Sequence, residues 1–155
     1  NLSLTLLLAG ELKEGWHEYA WRWQWEHFTI PKRNLPQTEW QNEELADTSV
    51  IIWGEQGIGD EIMFASLLPD LAQEAASVAV ECEPRLLPIY KRSFPGIKFI
   101  AKESSLSSAL VNLLADYQMA IGSLGQRYRT TVEKFPNHNG YLEADEKQTK
   151  QFNNL

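Results

Sequence analysis

The apolar positions change period along the chain, and those changes divide it. From Leu2 to Trp25 the spacing is helical: Leu2, Leu4, Leu6, Leu7 and Leu8 fill one short helix, Gly10 interrupts it, and Trp16, Tyr19, Ala20 and Trp23 recur at i, i+3, i+4 and i+7 of a second. The pattern predicts two antiparallel helices. Residues 29–48 show no period; Pro31, Pro36, scattered charges and Trp40 predict a surface linker pinned by that tryptophan. From Ser49 onward strand and helix patterns alternate. Ser49–Trp53 is a β-branched run, followed by a turn with three glycines and a helical stretch from Ile62 to Leu71 that Pro69 should bend or shorten. Ser77–Cys82 is an apolar run of the kind found in buried parallel strands. Pro84 opens a helix through Arg92, and Ile97–Ala101 forms a third strand. Leu106–Leu114 is a short helix or loop. Tyr117–Ile121 is a fourth strand leading into Gly122-Ser123-Leu124-Gly125, and Tyr141-Leu142 a fifth. The expectation is an α/β fold, a parallel sheet flanked by helices with right-handed crossovers and preceded by a helical hairpin. Its divisions fall at 1–28 (hairpin), 29–48 (linker), 49–144 (α/β domain) and 145–155 (polar connector).

Trp21, Trp23, Trp25 and Phe28 crowd the end of the hairpin. They read as a hydrophobic seam holding the hairpin to the α/β domain; the other reading is a platform on which a base or sugar stacks.

Composition narrows the classes. With 43% hydrophobic residues in 155, the chain can bury a real core. A net charge of −7 argues against nucleic acid as a partner, since phosphate binding draws on clustered Lys and Arg, and the densest basic group, Arg127, Arg129 and Lys134, is sparse. The single cysteine, Cys82, reads as a buried inert thiol and suits a reducing, cytoplasmic setting. Leu2–Ala9 falls short of the roughly 20 residues that span a bilayer and lacks the basic start of a signal peptide. The chain opens on Asn1 within a helical pattern, which suggests a piece of a longer protein. His17, His27 and His138 stand apart, without the carboxylate or thiol spacing of a metal site.

Chemistry concentrates at Gly54-Glu55-Gln56-Gly57-Ile58-Gly59-Asp60. Its glycines allow φ > 0 and close approach to the main chain, and the following helix offers unpaired N–H groups. Asp60 is the candidate base; the structural reading of the same residue is a helix N-cap, and the two are compatible. Glu61 reads as a first-turn acid favoured by the helix dipole. The glycines do not follow G-x-G-x-x-G, Glu55 would oppose a pyrophosphate, and no Gly-Lys-Ser/Thr follows, so dinucleotide and phosphate-loop readings fail.

The run WGEQGIGDEIMFASLLPDL, followed by VECEPRLLPIYKRSFPGI and the strand ending GSLG, resembles the N-terminal half of heptosyltransferase-like glycosyltransferases of the GT-B class. The preceding LLLAGELKEGWHEYAWRW resembles the closing part of a tetratricopeptide repeat, with Gly10 at the turn, Gly15 at the small position and Tyr19 at the aromatic one. The resemblance implies a Rossmann-like parallel sheet flanked by helices, preceded by a tetratricopeptide-like hairpin. It implies the acceptor-side half of a nucleotide-sugar-dependent transferase, inactive alone, with Asp60 as base and Gln56, Gly57, Gly59 and Ser123 shaping the acceptor site. No metal or cofactor is expected in this stretch, the nucleotide-sugar donor belonging to a further domain. A sugar or protein acceptor, and protein partners bound through the repeats, are the partners implied. The alternative is a non-catalytic repeat scaffold mediating protein–protein contacts.

Overall fold

The computed structural model describes residues 2–28, 30–41, 43–137 and 139–153. Its centre is a sheet of five strands, β1 (Thr38–Glu39), β2 (Ser49–Trp53), β3 (Ser77–Cys82), β4 (Lys98–Ala101) and β5 (Tyr117–Ala120), in the order β1-β5-β2-β3-β4. All pairings are parallel. The fold is therefore α/β with an all-parallel sheet, as the alternation of elements predicts.

Side chains on neighbouring strand positions point to opposite faces, and both faces are covered. Val50, Ile52, Val78, Val80, Cys82 and Phe99 join one core with Phe64, Leu68, Leu71, Tyr90 and Leu124. Ile51, Trp53, Ile100 and Ala120 join a smaller one with Leu35 and Leu110. Burial on both sides is why β2 and β3 read as continuous apolar runs rather than alternating ones.

The helices are short and their breaks have local causes. α1 (Leu2–Leu8) and α2 (Leu12–Tyr19) are joined through Gly10 at φ 84°, a left-handed conformation that glycine adopts freely. They pack closely: a Cβ on Gly15 would lie 2.8 Å from the Leu7 side chain. The second helix is not continuous to Trp25, because Ala20–Gln24 tightens into a 3-10 turn. α3 (Ile58–Ala65) stops before Ser66, and α4 (Leu68–Glu74) restarts with Pro69 in its first turn, where the missing N–H is harmless. α5 (Leu87–Ser93) follows a 3-10 turn opened by Pro84. α6 (Ser108–Val111), α7 (Gly125–Tyr128) and α8 (Glu146–Asn153) complete the set.

One sequence expectation is corrected. The fifth strand is Thr38–Glu39, at the sheet edge beside β5, and not Tyr141-Leu142. Tyr141 and Leu142 instead pack on the main core from an irregular segment, with Tyr141 Oη donating to the Ile62 carbonyl at 2.7 Å. Trp40, one residue past β1, is 1% exposed. His138 lies outside the described residues; His17 and His27 are exposed.

Candidate functional site: a cleft beside the sheet switch point

The chain builds outward from β2 through β3 to β4, then returns to place β5 on the other side of β2. The loops leaving β2 and β5 therefore diverge at the carboxyl edge of the sheet, the place where open α/β sheets form a ligand crevice. Here that crevice is filled by the chain itself. Glu55, fully buried, accepts hydrogen bonds at Oε1 from the Gly122 amide at 2.9 Å and from Arg22 Nη2 at 2.8 Å, and at Oε2 from Arg22 Nε at 2.9 Å. Arg22, 8% exposed, also donates to Ser123 Oγ at 2.8 Å and to the Tyr19 carbonyl at 3.0 Å. Its guanidinium lies 4.3 Å from the Tyr19 ring centroid and 4.4 Å from that of Trp23, a stacking geometry suited to a delocalised cation. One arginine from the helical segment thus ties together both loops of the switch point.

The glycines of the turn act differently from what their spacing suggests. Among the described residues positive φ belongs to Gln56 (60°), Gly10 and Gly140, and to none of Gly54, Gly57 or Gly59. Close approach does occur, but to the chain's own carboxylates. A Cβ on Gly54 would lie 2.5 Å from Glu61 Oε1, and one on Gly122 would strike Glu55. Around Gly59 there is nothing within 4 Å, and Gly57 has only Asp60 Oδ2, at 3.4 Å.

Helix α3 begins with Gly57 as N-cap, so Asp60 stands at its third position and not at the cap itself. From there its Oδ2 accepts from the Gly57 amide at 3.0 Å, the backward half of a capping box. Glu61 is the first-turn acid the sequence suggests, and it is buried. It is 2% exposed, accepts from the Glu83 amide at 2.8 Å and sits 3.8 Å from Lys102 Nζ, which donates to the Gly54 carbonyl. Glu81, also fully buried, pairs with Arg33 at 2.8 Å. Burial pushes the carboxyls of Glu61 and Glu81 above the usual range.

Beside this packed edge a cleft of about 610 Å³ opens between the helical segment and α3. Trp21 and Trp25, 56% and 55% exposed, form open walls with Phe28 and Met63. Trp16 and Tyr19 form the inner wall against Phe64, with ring centroids 6.3 and 6.2 Å from it. Asp60, Gln56, Glu18 and the edge of Arg22 supply polar groups. Tyr19 Oη donates to Gln56 Oε1 at 3.3 Å, and burial together with the nearby Glu55 charge pushes its hydroxyl up to about 12. The tryptophan cluster divides between the two readings: Trp23 packs on Trp53 and Phe28 at 5.5 and 5.2 Å, a seam, while Trp21 and Trp25 face the cleft.

Of the residues singled out from sequence, Asp60 and Gln56 come together on the cleft. Gly57 and Gly59 lie exposed next to it, and Ser123 is turned inward onto Arg22. Arg22, Glu55, Tyr19 as a Gln56 partner, and the Glu61 and Glu81 pairs were not legible as site residues. The available signals were a glutamate two residues past β2 and another inside the apolar run of β3. The basic residues near the C-terminal third are largely ion-paired, Arg129 with Asp70 at 2.7 Å and Arg127 with Glu74 at 3.3 Å. Cys82 is buried, and burial pushes its thiol up to about 12.

No family model and no solved structure matches the chain. It is 32% identical, over a 154-residue alignment, to Protein FlbA of Caulobacter vibrioides (strain ATCC 19089 / CIP 103742 / CB 15), covering 91% of this chain and 26% of that protein. The chain thus spans about a quarter of the length of the curated relative it matches. Among the described residues no helix is long and apolar enough to cross a membrane.

Proposed function

We propose that the chain supplies the acceptor-binding half of a nucleotide-sugar-dependent glycosyltransferase, with Asp60 as the general base and the cleft as the acceptor site. The observation that carries this reading is the placement of Asp60 and Gln56 among exposed aromatic walls beside the switch point. Flat aromatic faces suit the apolar faces of sugars, and a few convergent polar groups in an apolar cleft are the usual anatomy of a small-molecule site. Inverting transfer needs a base within hydrogen-bond reach of the acceptor hydroxyl. Asp60 has one carboxylate oxygen on the Gly57 amide, which fixes its rotamer and leaves the other to face a hydroxyl.

The departing diphosphate needs cations or helix N-termini, and Arg22 is already held by Glu55 and Ser123. The donor therefore belongs to a further α/β half, and this chain by itself is expected to be inactive. The helical pair would be the last tetratricopeptide unit, Gln56, Gly57 and Gly59 the acceptor loop, and Ser123 a support of its floor. The setting would be cytoplasmic.

The test is turnover by the full-length protein of UDP- and GDP-hexoses. Asp60→Asn, which can still accept from the Gly57 amide, should abolish it with the fold intact; undiminished turnover removes Asp60 from the mechanism. A second reading, a repeat scaffold, is favoured by the apolar face of α1, where Leu4 and Leu8 are 53% and 89% exposed. It gains if the full-length protein binds a protein partner through that face and turns over no nucleotide sugar.

A further inference from the structure

Gln56 is the one described non-glycine residue with a left-handed backbone, and that conformation has a visible cause. The residue before it, Glu55, is drawn under the switch point by Arg22 and the Gly122 amide, and the residue after it, Gly57, is the N-cap of α3. The chain must turn out of the buried site within one residue. Left-handed backbone is unfavourable for a non-glycine residue, so it persists where the surroundings over-determine it. The Gln56 side chain lines the cleft. Its Oε1 accepts from Tyr19 Oη, which leaves Nε2 as the end available to the cleft, and among the described residues no protein group accepts from Nε2.

We infer that Tyr19 and Arg22, both outside the α/β sheet, are positioning residues that aim the Gln56 amide N–H into the cleft beside Asp60, so that the site presents a donor and an acceptor side by side. That pair is complementary to a hydroxyl, which donates to Asp60 and accepts from Gln56. An anion would be opposed by Asp60 and Glu18, with Arg22 held by its own carboxylate partner. The inference deepens the acceptor reading above and rests on it for the identity of the group bound. The aiming of the amide stands on the geometry alone. With its hydroxyl pushed up to about 12, Tyr19 remains a donor throughout the neutral range.

Two measurements separate the aiming from the function. In ¹⁵N-edited spectra of the chain, Tyr19→Phe should shift the Gln56 side-chain amide and the Gly57 and Gly59 backbone amides. Other residues should stay in place and the melting temperature should move by only a few degrees. Arg22→Lys should give smaller loop shifts than Arg22→Ala. A loop spectrum unmoved by Tyr19→Phe overturns the inference, as does one that moves only with global destabilisation. In the full-length protein, with UDP- and GDP-hexoses as probes, Tyr19→Phe and Gln56→Ala should each lower turnover about five- to tenfold, roughly one hydrogen bond's worth. Combined, they should lower it no further than Gln56→Ala alone, because Tyr19 acts through Gln56. Additive losses overturn the relay. No turnover by the unmodified protein overturns the transferase reading, while the spectra still decide the positioning.

Discussion

Arg22 and Glu55, 33 positions apart in sequence, meet in a bidentate pair at 2.8 and 2.9 Å with 7% and 0% of their side chains exposed. A fully desolvated pair of this kind adds little net stability relative to apolar residues of the same shape, but removing one partner strands a buried charge. Arg22→Ala should therefore cost about 3–5 kcal/mol. Arg22→Met combined with Glu55→Gln should cost less, since the amide oxygen can still accept from the Gly122 amide. Urea unfolding midpoints of the three proteins decide it. A loss below about 1 kcal/mol for Arg22→Ala, the range of hydrated surface pairs, would show that water reaches the pair.

The glycines of the turn divide sharply by what surrounds them. Gly54→Ala and Gly122→Ala each push a Cβ into a buried carboxylate, Glu61 and Glu55 respectively. The displaced groups are themselves hydrogen-bonded, so both substitutions should destabilise by more than 1 kcal/mol, the low end of overpacking costs (about 1–3 kcal/mol). Gly59, inside α3 with open space about it, should behave oppositely. Gly59→Ala should stabilise by about 0.5–1 kcal/mol through the ordinary helix preference. Thermal melts of the three single variants test the contrast, and a destabilised Gly59→Ala would mean that the helix start is constrained in a way the geometry does not contain.

Stability against pH follows from Glu61 and Glu81. Burial raises both carboxyls in the folded state, above an unfolded value of about 4.3. Each folded group therefore binds its proton more tightly than the unfolded one. The stabilisation this gives is fully present below the unfolded pKa and is lost as pH rises through the folded pKa. Relative to Glu81→Gln, the wild type should lose stability as pH rises above the unfolded value, and the difference should flatten once Glu81 is fully ionised. Asp116, exposed and lowered by hydrogen bonds from Ser49, has the opposite sign and loses its contribution as pH falls. Denaturant titrations at several pH values, with Glu81→Gln and Asp116→Asn, separate the two. A wild type whose margin over Glu81→Gln grows as pH rises above the unfolded value contradicts the sign for Glu81.

The strands β2 and β3 were legible because both of their faces are buried and the apolar run has no gaps apart from Glu81. β1 was not, because two exposed residues between Pro36 and Trp40 carry no period of their own; they form a strand only because β5 offers them an edge. Tyr141-Leu142 imitates a strand by composition and is held by packing and the Ile62 carbonyl instead. At the site, Asp60 and Gln56 could be picked out since they sit in a glycine turn after a strand. Arg22 could not, since its partner Glu55 is brought to it by tertiary packing and a helical arginine ordinarily faces water. The glycines were visible, but their reason was not. Space for Glu61 and Glu55 is a three-dimensional demand, and sequence spacing alone suggests a ligand in their place.

The tryptophans offer the clearest separation of scaffold from site. Trp23 packs on Trp53 and Phe28, so Trp23→Ala should cost about 3–5 kcal/mol, as large aromatic truncations in packed surroundings do. Trp21 and Trp25 are more than half exposed and line the cleft. Their alanine variants should lose under about 1 kcal/mol, in line with surface substitutions. Acrylamide should quench the emission of Trp21 and Trp25 and leave that of Trp23 largely untouched, which single-tryptophan variants can resolve. If the cleft is the acceptor site, Trp21→Ala and Trp25→Ala should also lower transfer by the full-length protein while its donor affinity stays the same. A loss of donor affinity would place the donor, and not the acceptor, on the aromatic walls.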